Sequence, residues 1–246
     1  MLIKDKKGFV GIKLGSRTLV NGKKINEKFI SSVCEQNLAL QKIGYDSFLV
    51  SSGAIASASY FGFSSSLRAV VGQNRLMSVY EKFFNKFKIK IGQLLLTDDD
   101  FEQRRFNIKW ILLEAFINKV ILIINANDGI WKGEIKALKK CADNDILFLN
   151  VCKIIRPKMA VIGITEQGLL NPKGNIVSIV NNENFLQALS YTNGKNSFGR
   201  GGMKPKVEVA HKLANMGIKT VLAPAREPDF ILRAIKGEKN FGTTFI

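Results

Sequence analysis

Residues 8–15 read GFVGIKLG, an apolar stretch that ends in a glycine turn. Short apolar runs bounded by glycines are typical of buried β-strands. Apolar residues at helical spacing follow from Ile25 to Ile43, and a second strand-like run occupies Ser47–Val50. This succession of strand, helix and strand predicts a βα unit whose two strands lie parallel in one sheet.

The same alternation continues towards the end of the chain. Further strands are predicted at 91–96, 119–124, 158–164 and 220–224, and further helices over 73–87 and from residue 98 onward. No internal repeat or low-complexity linker interrupts the pattern. The expected fold class is therefore α/β, a sandwich built on a mainly parallel central sheet.

Length and composition limit what kind of protein this chain is. Its 246 residues are enough to bury a substantial core, and 46% of them are hydrophobic, which is the composition of a folded protein. The apolar runs are far shorter than the roughly 20 residues that cross a bilayer. The N-terminus lacks the apolar segment of a signal peptide. We expect a cytoplasmic protein with no membrane partner.

The sequence holds few of the residues that hydrolases and metal sites use. Cys34, Cys141 and Cys152 match no spacing typical of a disulfide framework, a zinc site or a redox motif. His211 is the only histidine, which disfavours Ser-His-Asp hydrolysis and His-ligated metals. We expect the cysteines to be buried thiols, and we assign no metal ligand.

The formal net charge of +17 raises the question of a nucleic-acid partner. The 37 basic residues comprise 28 Lys and 9 Arg, and they are spread along the whole chain beside many Ile, Asn and Phe. This bias is typical of proteins encoded by A+T-rich genomes. Because no basic run carries the interleaved aromatic residues of a stacking surface, we expect no nucleic-acid partner.

Polar clusters follow several predicted strands at their carboxyl ends, where open α/β sheets bind ligands. Ser51–Ala54 places two hydroxyls and a glycine at an expected helix start, which suits an anion. Asn125–Gly129 and Asp143–Asp145 supply amides and carboxylates that could hold an amino group or orient a carboxylate. Thr165–Gly168 is a further polar segment, and it follows the strand predicted at 158–164.

Two lysine-bearing segments suit phosphate groups. Lys13 ends a strand just before Gly15, where its ammonium could reach phosphate oxygens while the glycine lets the backbone approach. Gly199–Lys206 is rich in glycine, carries two lysines, and leads into a helix whose expected first residue is Pro205. Neither GxxxxGK[ST] nor GxGxxG is present. The residues alone are compatible with a nucleotide-dependent transferase, but also with a structural or exposed Lys13 and a surface loop at 199–206, and they do not identify the acceptor.

Eight strings in order along nearly the whole chain resemble the amino acid kinase family, and within it the glutamate 5-kinase branch most closely. They are Ile12–Leu19 (IKLGSRTL), Ser51–Ala56 (SSGAIA), Val71–Leu76 (VGQNRL), Gly92–Thr97 (GQLLLT), Asn125–Asp128 (NAND), Asp143–Asp145 (DND), Gly201–Met203 (GGM) and Gly242–Phe245 (GTTF). The SGAIA, VGQxRL and GQxLLT strings distinguish this branch from the other kinases of the same fold.

The resemblance implies a single three-layer αβα domain over residues 1–246. It implies transfer of the γ-phosphoryl group of ATP, with Mg²⁺, to the side-chain carboxylate of L-glutamate, which gives glutamyl 5-phosphate in the first step of proline biosynthesis. The family also implies a homo-oligomer, either a dimer or a tetramer, and a glutamyl-phosphate reductase as a further partner. Many members carry a C-terminal RNA-binding-like module of the PUA type, which we do not expect in this chain.

The family's motifs also imply roles for individual residues. Lys13 and Lys206 would neutralise charge on the transferred phosphoryl group, and the carboxylate of Glu166 would organise these two lysines. The residues that would hold glutamate are Ser52, Gly53, Ala54, Asp128 and Asn144. The residues that would hold ATP are Lys13, Gly15, Thr165, Glu166, Arg200, Gly201, Gly202, Met203, Lys204 and Lys206.

The chain departs from the family's pattern at several motifs, two of which bear directly on the site. Glu166 stands where glutamate 5-kinases usually have Asp, in a TEQGL string that is one residue shorter than the family's. Ala126 replaces the Glu of the family's NEND string. Two alternatives therefore stay open, namely an amino acid kinase with another acceptor and a non-catalytic nucleotide-binding relative.

Overall fold

A computed structural model describes residues 7–130, 144–193 and 202–246 of the chain. The first half contains β1 (Gly8–Leu14), α1 (Ser16–Leu19), β2 (Val20–Asn21), β3 (Lys24–Ile25), α2 (Glu27–Lys42), β4 (Tyr45–Val50), α3 (Ala54–Ser57), α4 (Ser65–Lys86), β5 (Lys90–Leu96), α5 (Asp98–Gln103), α6 (Arg105–Ile117) and β6 (Val120–Ala126). The second half contains α7 (Asn144–Ile155), β7 (Met159–Ile164), β8 (Ile179–Val180), α8 (Phe185–Ser190), α9 (Met203–Ala214), β9 (Lys219–Pro224), α10 (Phe230–Lys236) and β10 (Thr243–Phe245).

Eight of the strands form one central sheet in the order β5-β6-β4-β1-β7-β9-β10-β8. The six strands from β5 to β9 are parallel to their neighbours, whereas β10 runs antiparallel to β9. The expected α/β fold with a mainly parallel sheet is therefore confirmed. The chain extends from β1 to one side through β4 and β6 and to the other side through β7 and β9. Open α/β sheets bind ligands where the strand order reverses in this way.

Helices cover both faces of the sheet and give the molecule three layers. On one face α2, α4 and α10 pack on Val10, Ile12 and Leu14 of β1. On the other face α6, α7, α8 and α9 pack on Phe48 and Val50 of β4 and on alternate residues of β6. Because successive side chains of a strand point to opposite faces, Lys13 of β1 lies on the face that α7 covers.

Local sequence explains where several helices begin. The side chain of Asn26 accepts a hydrogen bond from Phe29 N at the start of α2, at 3.2 Å. Ser64 accepts one from Leu67 N at 3.3 Å at the start of α4. Thr97 begins α5 with a capping box that it forms with Asp100. Each cap satisfies backbone N–H groups that have no partner within the first helical turn.

Two sequence-based boundaries differ from the structure. α4 begins at Ser65, well before the predicted residue 73, because the Ser64 cap outweighs the weak periodicity of the first turns. Pro205 is the third residue of α9 and not the first, since the helix begins at Met203. A proline is tolerated there because the first-turn N–H groups have no intrahelical partner. Among the described helices, none is long and apolar enough to cross a membrane.

Candidate active site

Three charged side chains meet at the carboxyl end of β1. Asp145, the second residue of α7, lies between the two lysines. Its Oδ1 is 2.6 Å from Lys13 Nζ, and its Oδ2 is 3.0 Å from Lys206 Nζ. The alternation of β1 directs Lys13 towards α7, and Lys206 approaches from the first turns of α9. Elements far apart in the sequence thus bring both predicted lysines to one carboxylate.

This array is buried, which strengthens its electrostatic interactions. Asp145 has no exposed surface, and Lys13 and Lys206 are 4% and 9% exposed. Burial alone would raise the pKa of Asp145, but the ammonium groups of Lys13 and Lys206 hold that pKa below its ordinary value. Two ammonium groups share one carboxylate, so the three side chains together carry a net positive charge.

Glu166 does not occupy the position that the resemblance implied for it. Its carboxylate is exposed and accepts a hydrogen bond from Thr165 N at 3.1 Å. Among the described residues it forms no ion pair with Lys13 or Lys206. The expected organising role of Glu166 is corrected: the carboxylate between the lysines belongs to Asp145. The DND string contained this residue, but its spacing from the lysines in the sequence carried no sign of the contact.

The Ser51–Ala54 turn joins β4 to α3 and is held from two sides. Ser51 N donates to Ile124 O at 2.8 Å, and Ser51 Oγ lies 3.1 Å from the hydroxyl of the buried Tyr80. Gly53 has φ +91°, a left-handed conformation that favours glycine. Ser52 and Ala54 are buried on either side of it. The turn therefore presents its hydroxyl and backbone groups in a fixed arrangement.

The acceptor residues named by the resemblance come together around this turn. Asn144 Nδ2 donates to Ser52 Oγ at 2.9 Å, which links α7 to the β4–α3 turn. Asn144 Oδ1 is buried and has no hydrogen-bond partner among the described residues. Asp128 lies in the turn after β6, and burial raises the pKa of its carboxyl group. Both groups are hydrogen-bond acceptors, so they suit a cationic or N–H-bearing ligand.

Two more buried polar side chains lie on the opposite side of this turn. Gln73 of α4 is 8% exposed, and Asn125 at the end of β6 is 2% exposed. The Nε2 of Gln73 and the Nδ2 of Asn125 have no hydrogen-bond partner among the described residues. Buried donors are satisfied in most proteins, so an unsatisfied pair calls for an explanation.

The expected ATP-binding residues gather at the ends of β1 and β7. These two strands are parallel neighbours with Lys13 opposite Ile162, which brings Gly15 and Thr165 to the same edge of the sheet. Gly202 directly precedes α9, and Met203 and Lys204 are its first two residues, with Lys204 exposed. Arg200 and Gly201 lie outside the described residues.

A cavity of about 230 Å³ lies between α8 and the segment that follows β7. It is lined by Asn171, Val177, Asn184, Gln187, Ala188 and Tyr191. In the sequence these residues fall between Glu166 and the start of α9. The cavity is therefore formed by the part of the chain that lies between the Thr165–Glu166 turn and α9.

In the part of the chain that the structure describes, the remaining reactive side chains take no part in this site. Cys34 and Cys152 are buried, as expected, and burial raises the pKa of the Cys34 thiol to about 12 and that of Cys152 above its ordinary value. His211 stacks on Phe185 with ring centroids 3.6 Å apart. Cys141 lies outside the described residues. Thiolate chemistry is disfavoured at the two described cysteines, and positioned charge is what the site offers.

A sequence profile described as the amino acid kinase family matches residues 10–224 of the chain. The chain is 32% identical over 254 residues to glutamate 5-kinase of Haemophilus influenzae strain Rd, covering 96% of this chain and 67% of that relative. It is 31% identical over 253 residues to glutamate 5-kinase of Pasteurella multocida, covering 95% and 67%. It is 29% identical over 248 residues to glutamate 5-kinase of Thermotoga maritima, covering 96% and 67%.

Solved structures with a similar fold include carbamate kinase from Giardia lamblia bound to AMP-PNP. That structure superposes with a TM-score of 0.69 at 16% sequence identity, covering 97% of this chain and 98% of the other. The same enzyme bound to citric acid gives 0.69 at 14% identity. At these identities the likeness concerns the fold and not the acceptor.

Proposed function

The chain belongs to the amino acid kinase family, and on that premise we propose that it is a glutamate 5-kinase. In this reaction an oxygen of the glutamate side-chain carboxylate attacks the γ-phosphorus of ATP, the bond from that phosphorus to ADP breaks, and glutamyl 5-phosphate forms. This would be the first step of proline biosynthesis. The observation that carries the proposal is the buried Lys13–Asp145–Lys206 array, together with relatives that bear this name.

The two lysines supply what phosphoryl transfer requires. Charge on the transferred group is spread over its equatorial oxygens, so catalysis depends on positioned positive charge more than on proton transfer. Lys13 and Lys206 are fixed by one carboxylate before the substrates bind, and they need no reorganisation during the reaction. Asp145 is a positioning residue that aims both ammonium groups and limits their mutual repulsion.

The residues at this edge also fit a magnesium ion that arrives with ATP. Among the described residues, no group of three or more His, Cys, Asp or Glu side chains could hold a metal ion. Mg²⁺ typically binds through substrate phosphates, water and one or two carboxylates, and the exposed Glu166 is available for this role. When bound, the ion would neutralise phosphate charge. Glu166 thereby keeps a place in the site, although it does not organise the lysines.

The groups around the β4–α3 turn fit the amino acid acceptor. Ser52 Oγ is hydrogen-bonded to Asn144, the residue before Asp145, so we assign the reacting carboxylate to the space between the Ser52–Ala54 turn and the lysine array. Asp128 and the unpartnered Oδ1 of Asn144 are acceptors suited to the α-ammonium group. The nucleoside of ATP is assigned to the cavity beside α8, which follows the Thr165–Glu166 turn in the chain.

The proposal includes self-association. α6 is apolar on both sides: Ile108, Leu112 and Phe116 are buried, while Phe106 and Trp110 are 76% and 63% exposed. Exposed apolar side chains grouped on one side of a helix mark a surface that a partner covers. We assign a second copy of the chain to this surface, in keeping with the homo-oligomer that the resemblance implies. A reductase that consumes the acyl phosphate remains the proposed further partner.

Hydroxamate formation tests the function directly, because hydroxylamine traps an acyl phosphate. The purified protein would be assayed with ATP and Mg²⁺ against glutamate, aspartate and N-acetylglutamate in parallel. We expect product with glutamate and little with the other two. The Lys13→Ala protein serves as the inactive control.

The outcomes separate the alternatives. A better acceptor than glutamate would indicate another amino acid kinase activity. Nucleotide binding without any product from a folded protein would indicate a non-catalytic relative. The Lys212→Ala protein is the matched control for Lys13→Ala. It also loses one lysine, but Lys212 is exposed at the end of α9 that lies far from Lys206 and the lysine array.

A further inference from the structure

The buried stripe of α4 continues beyond the hydrophobic core towards the acceptor site. Leu76, Tyr80 and Phe84 pack against the sheet. Gln73 lies on the same stripe, one turn closer to the start of the helix than Leu76. A glutamine in line with core residues that is 8% exposed is unusual, because burial of its carboxamide is costly without hydrogen bonds.

Three contacts fix where this part of α4 lies. Tyr80 meets Ser51 Oγ at the end of β4. At Gly72, an added Cβ would lie 1.8 Å from Ala54 O, so the helix backbone touches the β4–α3 turn. Val70 Cγ2 would lie 2.7 Å from a Cβ added at Gly129, in the turn after β6. Gln73 is therefore placed between the two turns to which the proposed function assigns the acceptor.

Its amide nitrogen is left without a partner in this position. Gln73 Nε2 is buried and has no hydrogen-bond partner among the described residues. Asn125 Nδ2 shares this property, and strand alternation puts Asn125 on the face of β6 whose Ile121 and Ile123 pack with α4. Two unsatisfied donors thus face one region, and a ligand with an anionic oxygen would satisfy them.

The strand order shows which end of the acceptor this would be. The lysine array lies at β1 and between α7 and α9, whereas Gln73 lies over the ends of β4 and β6 on the other face of the sheet. The reacting side-chain carboxylate belongs with the lysines. The donors on the α4 side are therefore left for the carboxylate that does not react.

We propose that Gln73 donates a hydrogen bond to the α-carboxylate of the amino acid acceptor and thereby selects α-amino acids over simpler carboxylates. This inference rests on the proposed function. It adds a specificity-determining residue in α4, a helix that holds none of the site residues that the resemblance implied. No covalent step is involved, so the expected effect is on acceptor binding.

The test compares L-glutamate with 4-aminobutyrate, which keeps the amino group and the reacting carboxylate but lacks the α-carboxylate. The assay measures hydroxamate formation with glutamate and the inhibition constant of 4-aminobutyrate. In Gln73→Met we expect the KM for glutamate to rise by about tenfold or more, the usual scale for losing a hydrogen bond to a charged group. The KM for ATP and the inhibition constant of 4-aminobutyrate should stay unchanged.

Gln93→Met is the matched control, because Gln93 is exposed on the edge strand β5. Gln73→Glu is a second variant of the same size, and its added negative charge should weaken glutamate binding further. The inference would be overturned if Gln73→Met weakened the binding of glutamate and of 4-aminobutyrate equally, or if it left the KM for glutamate unchanged. Failure of the proposed function is distinguishable, because the wild-type protein would then form no hydroxamate with glutamate.

Discussion

Asp145 is the residue on which the proposed chemistry most depends. Replacement by Asn removes the negative charge between two buried ammonium groups, which then repel each other. We expect Asp145→Asn to lower kcat by about 100-fold or more, the scale of losing one preorganised electrostatic group. We also expect it to lower the free energy of unfolding by about 3 kcal/mol, because a buried ion pair loses one partner. Hydroxamate assays and urea unfolding measure the two effects.

Asp229→Asn is the control for this variant, since Asp229 is exposed and outside the site. Unchanged kcat in Asp145→Asn would contradict the positioning role, even if stability fell. If Asp229→Asn lowered both kcat and the free energy of unfolding, the effect would be a general one of neutralising a carboxylate.

The pH dependence of stability should report the same contact. The pKa of Asp145 is lower in the folded protein than in the unfolded chain, so its contribution is present above the ordinary Asp pKa of about 3.9. That contribution is lost as pH falls through the lowered folded pKa. The difference in unfolding free energy between wild type and Asp145→Asn should therefore be constant above about pH 5 and shrink below about pH 4. Urea titrations at a series of pH values would measure this difference.

Lys206 can be tested without disturbing its packing. Lys206→Met keeps a long apolar stem in the buried position and removes only the ammonium group. We expect kcat to fall by about 10²–10³-fold, the range for one oxyanion donor. Lys212→Met on the same helix should keep wild-type kcat. A loss under tenfold in steady-state hydroxamate formation would show that Lys206 does not stabilise the transition state.

The comparison of Glu166 with Asp145 shows how far single residues could be predicted. The motifs assigned both lysines to one site, and the structure brings both to Asp145. Lys13 lies near the end of β1 and Lys206 near the start of α9, and the fold brings these two ends to the same edge of the sheet. The motifs assigned the shared carboxylate to Glu166, because Glu166 stands where the family's motif has the Asp that organises the lysines. The ion pairs instead depend on how α7 meets β1 and α9, which is a tertiary contact between elements far apart in the sequence.

At the scale of elements, α3 and α4 are in close backbone contact at Gly72. A Cβ at Gly72 would lie 1.8 Å from Ala54 O and 2.7 Å from Ser57 Oγ. Gly72→Ala should therefore lower the free energy of unfolding by about 2 kcal/mol through overpacking, although Ala usually stabilises a helix. It should also raise the KM for glutamate, because the β4–α3 turn must shift.

Gly62→Ala provides the comparison, since a Cβ there would meet no atom within 4 Å. Chemical denaturation and the glutamate KM would be measured for both variants. A Gly72→Ala protein as stable as the wild type would show that α3 and α4 can separate without cost.

Most elements could be predicted because their patterns are local. β1 could be predicted from its apolar run between glycines, and α2 from the helical spacing of its apolar residues. The structure places both elements within a few residues of the expected limits. β8 and β10 have two and three residues, too few for a periodic signal. They are strands because they pair with each other beside β9, a partnership that depends on distant parts of the chain.

At the scale of the whole molecule, the exposed side of α6 predicts how copies of the chain associate. Phe106, Trp110 and Ile117 lie at helical spacing on that side, and they are 76%, 63% and 79% exposed. Apolar side chains in such a stripe are stabilised when a second surface covers them. We expect light scattering after gel filtration to give a mass of at least twice the 27.4 kDa of one chain.

Trp110→Glu should reduce this mass to that of one chain, because association would bury an unpaired carboxylate at the centre of the stripe. Leu186→Glu is the matched control: Leu186 is 77% exposed on α8, away from α6, and its substitution should leave the assembly intact. A monomeric wild-type protein, or a Trp110→Glu protein that still assembles, would exclude α6 as the interface. If only Leu186→Glu dissociates, the contact lies instead beside the cavity at α8, and nucleotide binding would then be coupled to assembly.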